Sequence, residues 1–111
     1  MWAVDPKYLC NQHLLGEHHE LHMFVGTINR GTSVSGYLNG NLLDPSRLGV
    51  RHTELVQEMV ARGMKHSSSL PDLYLDLAVY PLNEKESQKE LFRRCKLCES
   101  RYVDITGHRV Y

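Results

Sequence analysis

The stretch from Leu9 to Asn29, LCNQHLLGEHHELHMFVGTIN, reads as one amphipathic helix and constrains the rest of the chain more than any other segment. Cys10, Leu14, Leu21, Val25 and Ile28 recur at helical spacing and form an apolar stripe. His13, Glu17 and Glu20 follow one another at spacings of four and three. They form a polar row centred about 80° from that stripe. An acid/base row that borders a core is where a carboxylate can have its pKa raised and still reach a substrate. A solvated helix face is the plainer reading of the same pattern, and spacing alone does not choose between them.

Other helix signals surround this one. Asp5-Pro6 supplies an N-cap and a first-turn proline, so the spacing predicts helix one from about Pro6 to Ile28, stopped by Asn29-Arg30-Gly31. Thr32 to Asn41 reads as a connector with a short turn at Val34–Leu38, and it carries no Walker-type phosphate loop. After a turn at Asp44-Pro45, helix two is expected over Leu48–Arg62, burying Leu48, Leu55, Val56 and Met59, with Gly63 as its cap. Met64 to Asp76 is expected to be a surface linker, and Leu73 to Val79 packed irregular chain. Asn83-x-x-Glu86 opens helix three, about Glu84 to Tyr102, with Leu91, Cys95, Cys98 and Tyr102 on one side. Three amphipathic helices joined by long connections predict an all-α single domain spanning 1–111.

At 111 residues and 41% hydrophobic, the chain can bury one modest core. It has no long apolar run, which excludes a membrane span, and MWAVDPKYLC does not read as a signal peptide. Three cysteines without a disulfide framework suit a reducing, cytoplasmic compartment. Thirteen basic and thirteen acidic residues cancel, which argues against a strong general nucleic-acid binder. The basic residues gather between Lys89 and Arg109, and seven histidines can add positive charge near phosphates.

The run Asn11-Gln12-His13-Leu14-Leu15-Gly16-Glu17-His18-His19-Glu20-Leu21 resembles the first helix of bacteriophage pyrimidine-dimer DNA glycosylases of the endonuclease V type, which carry (D/N)QHL…E..EL there. A second block, Arg51 to Gly63, is similar to the family's R..EL..E...RG helix. The two blocks occur in the same order, and the resemblance runs from Leu9 to about His66. It implies an all-α fold with the N-terminal segment threaded near the middle of the helices. It also implies a partner, double-stranded DNA with a damaged or altered base, engaged by a monomer inside a cell, the host cell if phage-encoded. Glu20 matches the family's catalytic glutamate. The family's other catalytic group is an N-terminal α-amine, and the group that corresponds here is the amine of Met1, because Trp2 is too bulky for the initiator methionine to be removed. His13, Gln12 and Glu17 match family identities. His19 and Met23 stand where the family has arginines beside its glutamate.

The chemistry implied is attack of the amine on the sugar C1′, giving a Schiff base that lets the strand be cut by β-elimination, while the glutamate stabilises charge and moves protons. His13 is expected to orient Glu20 or touch the sugar-phosphate, or else to make a structural hydrogen bond. Glu17 is expected to hold His13 or a basic neighbour. If helix two lines the DNA, then Arg51, His52, Lys65 and His66 contact phosphates, while Trp2, Tyr8 and Tyr111 stack on bases. A module that kept the fold and lost the chemistry is the alternative. Cys95-x-x-Cys98 could form half of a zinc site with His18 and His22, but a single such pair in a helical pattern is weak, so packed thiols, no metal and no cofactor are expected.

Overall fold

The computed structural model describes residues 1–40, 42–66 and 79–108. Every regular element among them is helical. They are α1 (Asn11–Asn29), α2 (Ser35–Asn39), α3 (Leu48–Ala61), α4 (Glu84–Arg94) and α5 (Lys96–Thr106), with single 3-10 turns at Pro6–Tyr8 and Pro45–Arg47. The linker from Met64 to Asp76 lies outside the described residues from Ser67 onward. So do the apolar run from Leu73, apart from Val79, and Arg109 and Tyr111 near the C-terminus.

Asp5 caps as its sequence predicts, its carboxylate accepting from the Lys7 N–H at 3.0 Å. The helix it opens is only one 3-10 turn, because Leu9 and Cys10 are extended and Cys10 becomes the N-cap of α1. Two Schellman motifs end the long helices. Thr32 N–H reaches Thr27 C=O at the end of α1, and Met64 N–H reaches Met59 C=O at the end of α3. Gly63 sits at φ 79°, a backbone state that L side chains resist.

Helix three of the sequence reading is two helices. Cys95 is extended, at φ −131° and ψ 105°, so α4 stops at Arg94 and α5 starts at Lys96. The Asn83 cap is as expected, its side chain accepting from Glu86 N–H at 3.0 Å.

The apolar stripe of α1 is buried at Cys10, Leu14, Leu21 and Val25, joined by Phe24. It packs with Leu48, Leu55 and Met59 of α3, Leu91 and Phe92 of α4, and Cys98 of α5. Met1, Val4 and Leu9 are part of that same core, so the first nine residues run through the helices and not over them. Among the described residues no helix is long and apolar enough to cross a membrane.

Candidate active site

The chain's first atom is at the floor of a cleft. The Met1 ammonium donates to Glu20 Oε1 and, at 3.0 Å, to the Leu42 carbonyl oxygen. Met1 is buried, whereas the Glu20 side chain is 37% exposed, so the carboxylate faces the amine and the solvent at once. The cleft measures about 620 Å³; beside these groups its walls include Trp2, Tyr37, Ser87 and Arg94, with the carboxylates of Glu86 and Glu90. A second cleft of about 490 Å³ also runs along the first seven residues, but Glu20 is not one of its walls.

A segment of so little regular structure needs external anchors, and arginines supply them. Arg51 Nη1 donates to the Val4 carbonyl at 2.7 Å. Arg62 Nη2 donates to the Pro6 carbonyl at 3.1 Å, and its Nη1 donates to Asn11 Oδ1 at 3.0 Å. Arg101 Nε donates to the Lys7 carbonyl at 2.9 Å. On the other side, the Ala3 N–H donates to Ser87 Oγ of α4 at 2.9 Å. Guanidinium forks suit this work because several rigid N–H donors can hold carbonyls and a carboxylate together.

The sequence-predicted residues do not form one site but separate in space. Met1, Trp2 and Glu20 share the cleft. Glu17 and Arg51 are paired with each other in the interior, Nε to Oε2 at 2.6 Å and Nη2 to Oε1 at 3.0 Å, with both residues under 5% exposed. Glu17 thus holds a basic neighbour, and that neighbour is Arg51, not His13. Gln12, His19 and Met23 are exposed and lie on one side of α1, about 60–100° around the helix from Glu20.

His13 faces away from Glu20 into the cysteines, its Nδ1 3.2 Å from Cys10 Sγ, while its ring meets the edge of Trp2 at a centroid distance of 6.3 Å. His52 and His66 join His18 and His22, and all four ring systems lie within 5.3 Å of a neighbour in that set. His18 Nε2 and His66 Nε2 are 2.9 Å apart. Burial, followed by mutual repulsion with His22, His52, His66 and His19, pushes the His18 imidazole down to about 4. Burial is also the first cause lowering His22 and His52. Lys65 is exposed.

Sequence reasoning did not find the Leu42 carbonyl, Ser87 or Arg62 as parts of this site. Arg62 lay in the quoted helix-two pattern and was the one with a readable signal. A backbone carbonyl such as that of Leu42 leaves no trace in side-chain identities.

Residues 1–72 match the family model described as pyrimidine dimer DNA glycosylase. No curated protein and no solved structure gives a significant match to the chain. The matched region contains the amine, Glu20, Leu42, Arg51 and Arg62, and ends before Ser87 and Arg101.

Proposed function

This chain belongs to the pyrimidine dimer DNA glycosylase family, and from that premise we propose that it excises pyrimidine dimers or another altered base from duplex DNA and cuts the strand by AP-lyase chemistry. It acts inside the cell as a single-domain monomer. The observation that carries the reading is the contact between the Met1 amine and Glu20 at the floor of an open cleft.

The amine is tetrahedral. One substituent is its own Cα, one N–H is held by Glu20 and another by the Leu42 carbonyl, which leaves one position for an electrophile. Glu20 takes a proton from the ammonium, the neutral amine turns so that its lone pair occupies the open position, and that pair forms a bond to the sugar C1′. The glycosidic C1′–N bond breaks with its electron pair leaving on the base, which gains a proton. Transfer of a further amine proton through Glu20 to the ring oxygen opens the sugar and leaves an imine between the chain and C1′. Loss of a proton from C2′ then expels the 3′ phosphate by β-elimination. Reaching C1′ requires the nucleotide to be extruded, which costs least at a lesion. Trp2 lines the cleft and serves as a stacking surface, and Gln12, His19, Met23 and Lys65 contact the strand around it. His13 acts as a positioning residue through Trp2, while Glu17 and Arg51 position the N-terminal segment.

The test uses supercoiled DNA with and without ultraviolet irradiation, and borohydride to trap the imine. Irradiated DNA should be nicked and the adduct should map to the N-terminal peptide, whereas Glu20→Gln should still bind DNA and lose excision. Full excision by that variant removes Glu20 from the mechanism. Excision with no trapped adduct removes the amine, and leaves water activated by Glu20 as nucleophile.

A further inference from the structure

All three cysteines of the chain meet at one point with His13. The Sγ atoms of Cys10, Cys95 and Cys98 and a ring nitrogen of His13 lie within 4.8 Å of one another. We propose that these four side chains form a structural zinc site of the Cys3His type, which ties the start of α1 to the junction of α4 and α5. The proposal does not rest on the glycosylase reading: the three cysteines have no part in the chemistry described above, and His13 enters it only as the ring behind Trp2.

The geometry fits the ion. With Zn–S of about 2.3 Å and Zn–N of about 2.0 Å, a tetrahedral site has S···S edges of about 3.8 Å and S···N edges of about 3.5 Å. Cys10 Sγ and Cys95 Sγ are 3.8 Å apart, and Cys10 Sγ and His13 Nδ1 are 3.2 Å apart. Small shifts close the remaining edges. The sequence spacing fits as well, because Cys10-x-x-His13 and Cys95-x-x-Cys98 are two ligand pairs of the kind that zinc folds use.

Each pair also straddles a helix start. Cys10 is the N-cap of α1 and Cys95 the N-cap of α5, so both pairs sit at the positive ends of helix dipoles, where thiolates are favoured. Backbone donors are already aimed at the sulfurs: Cys10 N–H at Cys98 Sγ, 3.2 Å, and Cys98 N–H at Cys95 Sγ, 3.5 Å. Such bonds are the outer shell that orients thiolate ligands. Two packed thiols would need neither a third sulfur nor an imidazole nitrogen turned toward them. The helical CxxC drew attention in the sequence with the wrong partners, since His18 and His22 belong to the separate histidine cluster.

The experiment uses the full chain, purified without added metal, then given zinc and desalted. The expected result is one equivalent of bound zinc, with all three thiols protected from alkylation until a strong chelator is added. Cobalt(II) in place of zinc should give a thiolate-to-metal charge-transfer band and tetrahedral d–d bands. Cys98→Ser should lose most of the band intensity, while His52→Ala, in the other cluster, should keep it. If Cys98→Ser fails to fold, thiol protection in the wild-type chain decides the matter. The proposal is overturned if desalted protein holds far less than one equivalent. It is equally overturned if bound cobalt shows no thiolate band, or if binding is lost in His52→Ala and kept in Cys98→Ser.

Discussion

Removing the Arg51 guanidinium should cost more stability than any other single polar change among the described residues. In Arg51→Met the Glu17 carboxylate stays in the interior and loses both of its charge-assisted hydrogen bonds, at 2.6 and 3.0 Å. Breaking one side of such a buried pair costs about 3–5 kcal/mol, a large share of the roughly 5–15 kcal/mol that holds a domain folded. Glu17→Leu should cost less. The stranded Arg51 keeps the Val4 carbonyl at 2.7 Å and has Glu54 3.8 Å away. The double variant removes both charges together and should regain at least about 2 kcal/mol over Arg51→Met, since matched apolar replacements of buried pairs are often neutral. Urea unfolding of the four proteins at neutral pH gives the coupling energy directly. A cost below about 1 kcal/mol for Arg51→Met, or additive single effects, would refute this account. The double variant also lacks the donor to Val4, so it should remain slow in borohydride trapping even with its stability restored.

Three further outcomes follow from named contacts. The His18 imidazole is held at about 4 in the folded chain against 6.5 when unfolded, so the unfolded state binds more protons and stability falls as pH drops from about 6.5 to 4. Full conversion gives about 3 kcal/mol and solvent screening leaves roughly half; thermal melts should show the loss, and His18→Gln should flatten it, whereas an unchanged profile in that variant removes the cluster as its source. Ser87→Ala leaves the Ala3 N–H without its partner and should cost about 0.5–1.5 kcal/mol, together with slower adduct formation; equal trapping rates would show that α4 does not position the amine. One extra residue before Met1 moves the amine by about 3.3–3.6 Å, a whole near-attack distance, and should reduce trapping by a hundredfold or more, so near-normal trapping would exclude the N-terminal amine as nucleophile.

Much of the frame was legible because it rests on local chemistry. Asp5-Pro6, Asp44-Pro45 and Asn83-x-x-Glu86 each cap where their side chains predict, and the stripes of α1 and α3 bury most of the residues that their spacing selects, with Ile28 and Val56 only partly covered. The boundaries that were misread share one cause. Both Cys10 and Cys95 are N-caps, and the sequence reading carried a helix through each of them. Cysteine is not among the residues whose side chains ordinarily favour an N-cap, and each fits the 3.6-residue period of the helix that follows. Their extended backbones are set by partners 85 residues apart in sequence, which periodicity cannot register. The histidines show the same limit: the sequence offers His18 and His22 only as candidate partners of Cys95 and Cys98, and the residues they actually meet, His52 and His66, arrive from α3 and beyond it.

The anchoring of the amine gives the last third of the chain a part in the proposed site, whose amine and Glu20 lie within the family match. A terminal amine on a free segment would sample many positions, and each ordered residue costs about 1–2 kcal/mol of backbone entropy. The first seven residues are ordered instead by carbonyl contacts from three arginines, Arg51, Arg62 and Arg101, and by the Ser87 contact. Two of these, from Arg101 and Ser87, lie beyond residue 72. The segment α4 therefore closes the cleft wall, and Ser87 of α4 with Arg101 of α5 fixes the register of residues 3 to 7 against α1. With that register set, the amine meets Glu20, and Ser87 and Arg101 act on that contact through the backbone of Ala3 and Lys7.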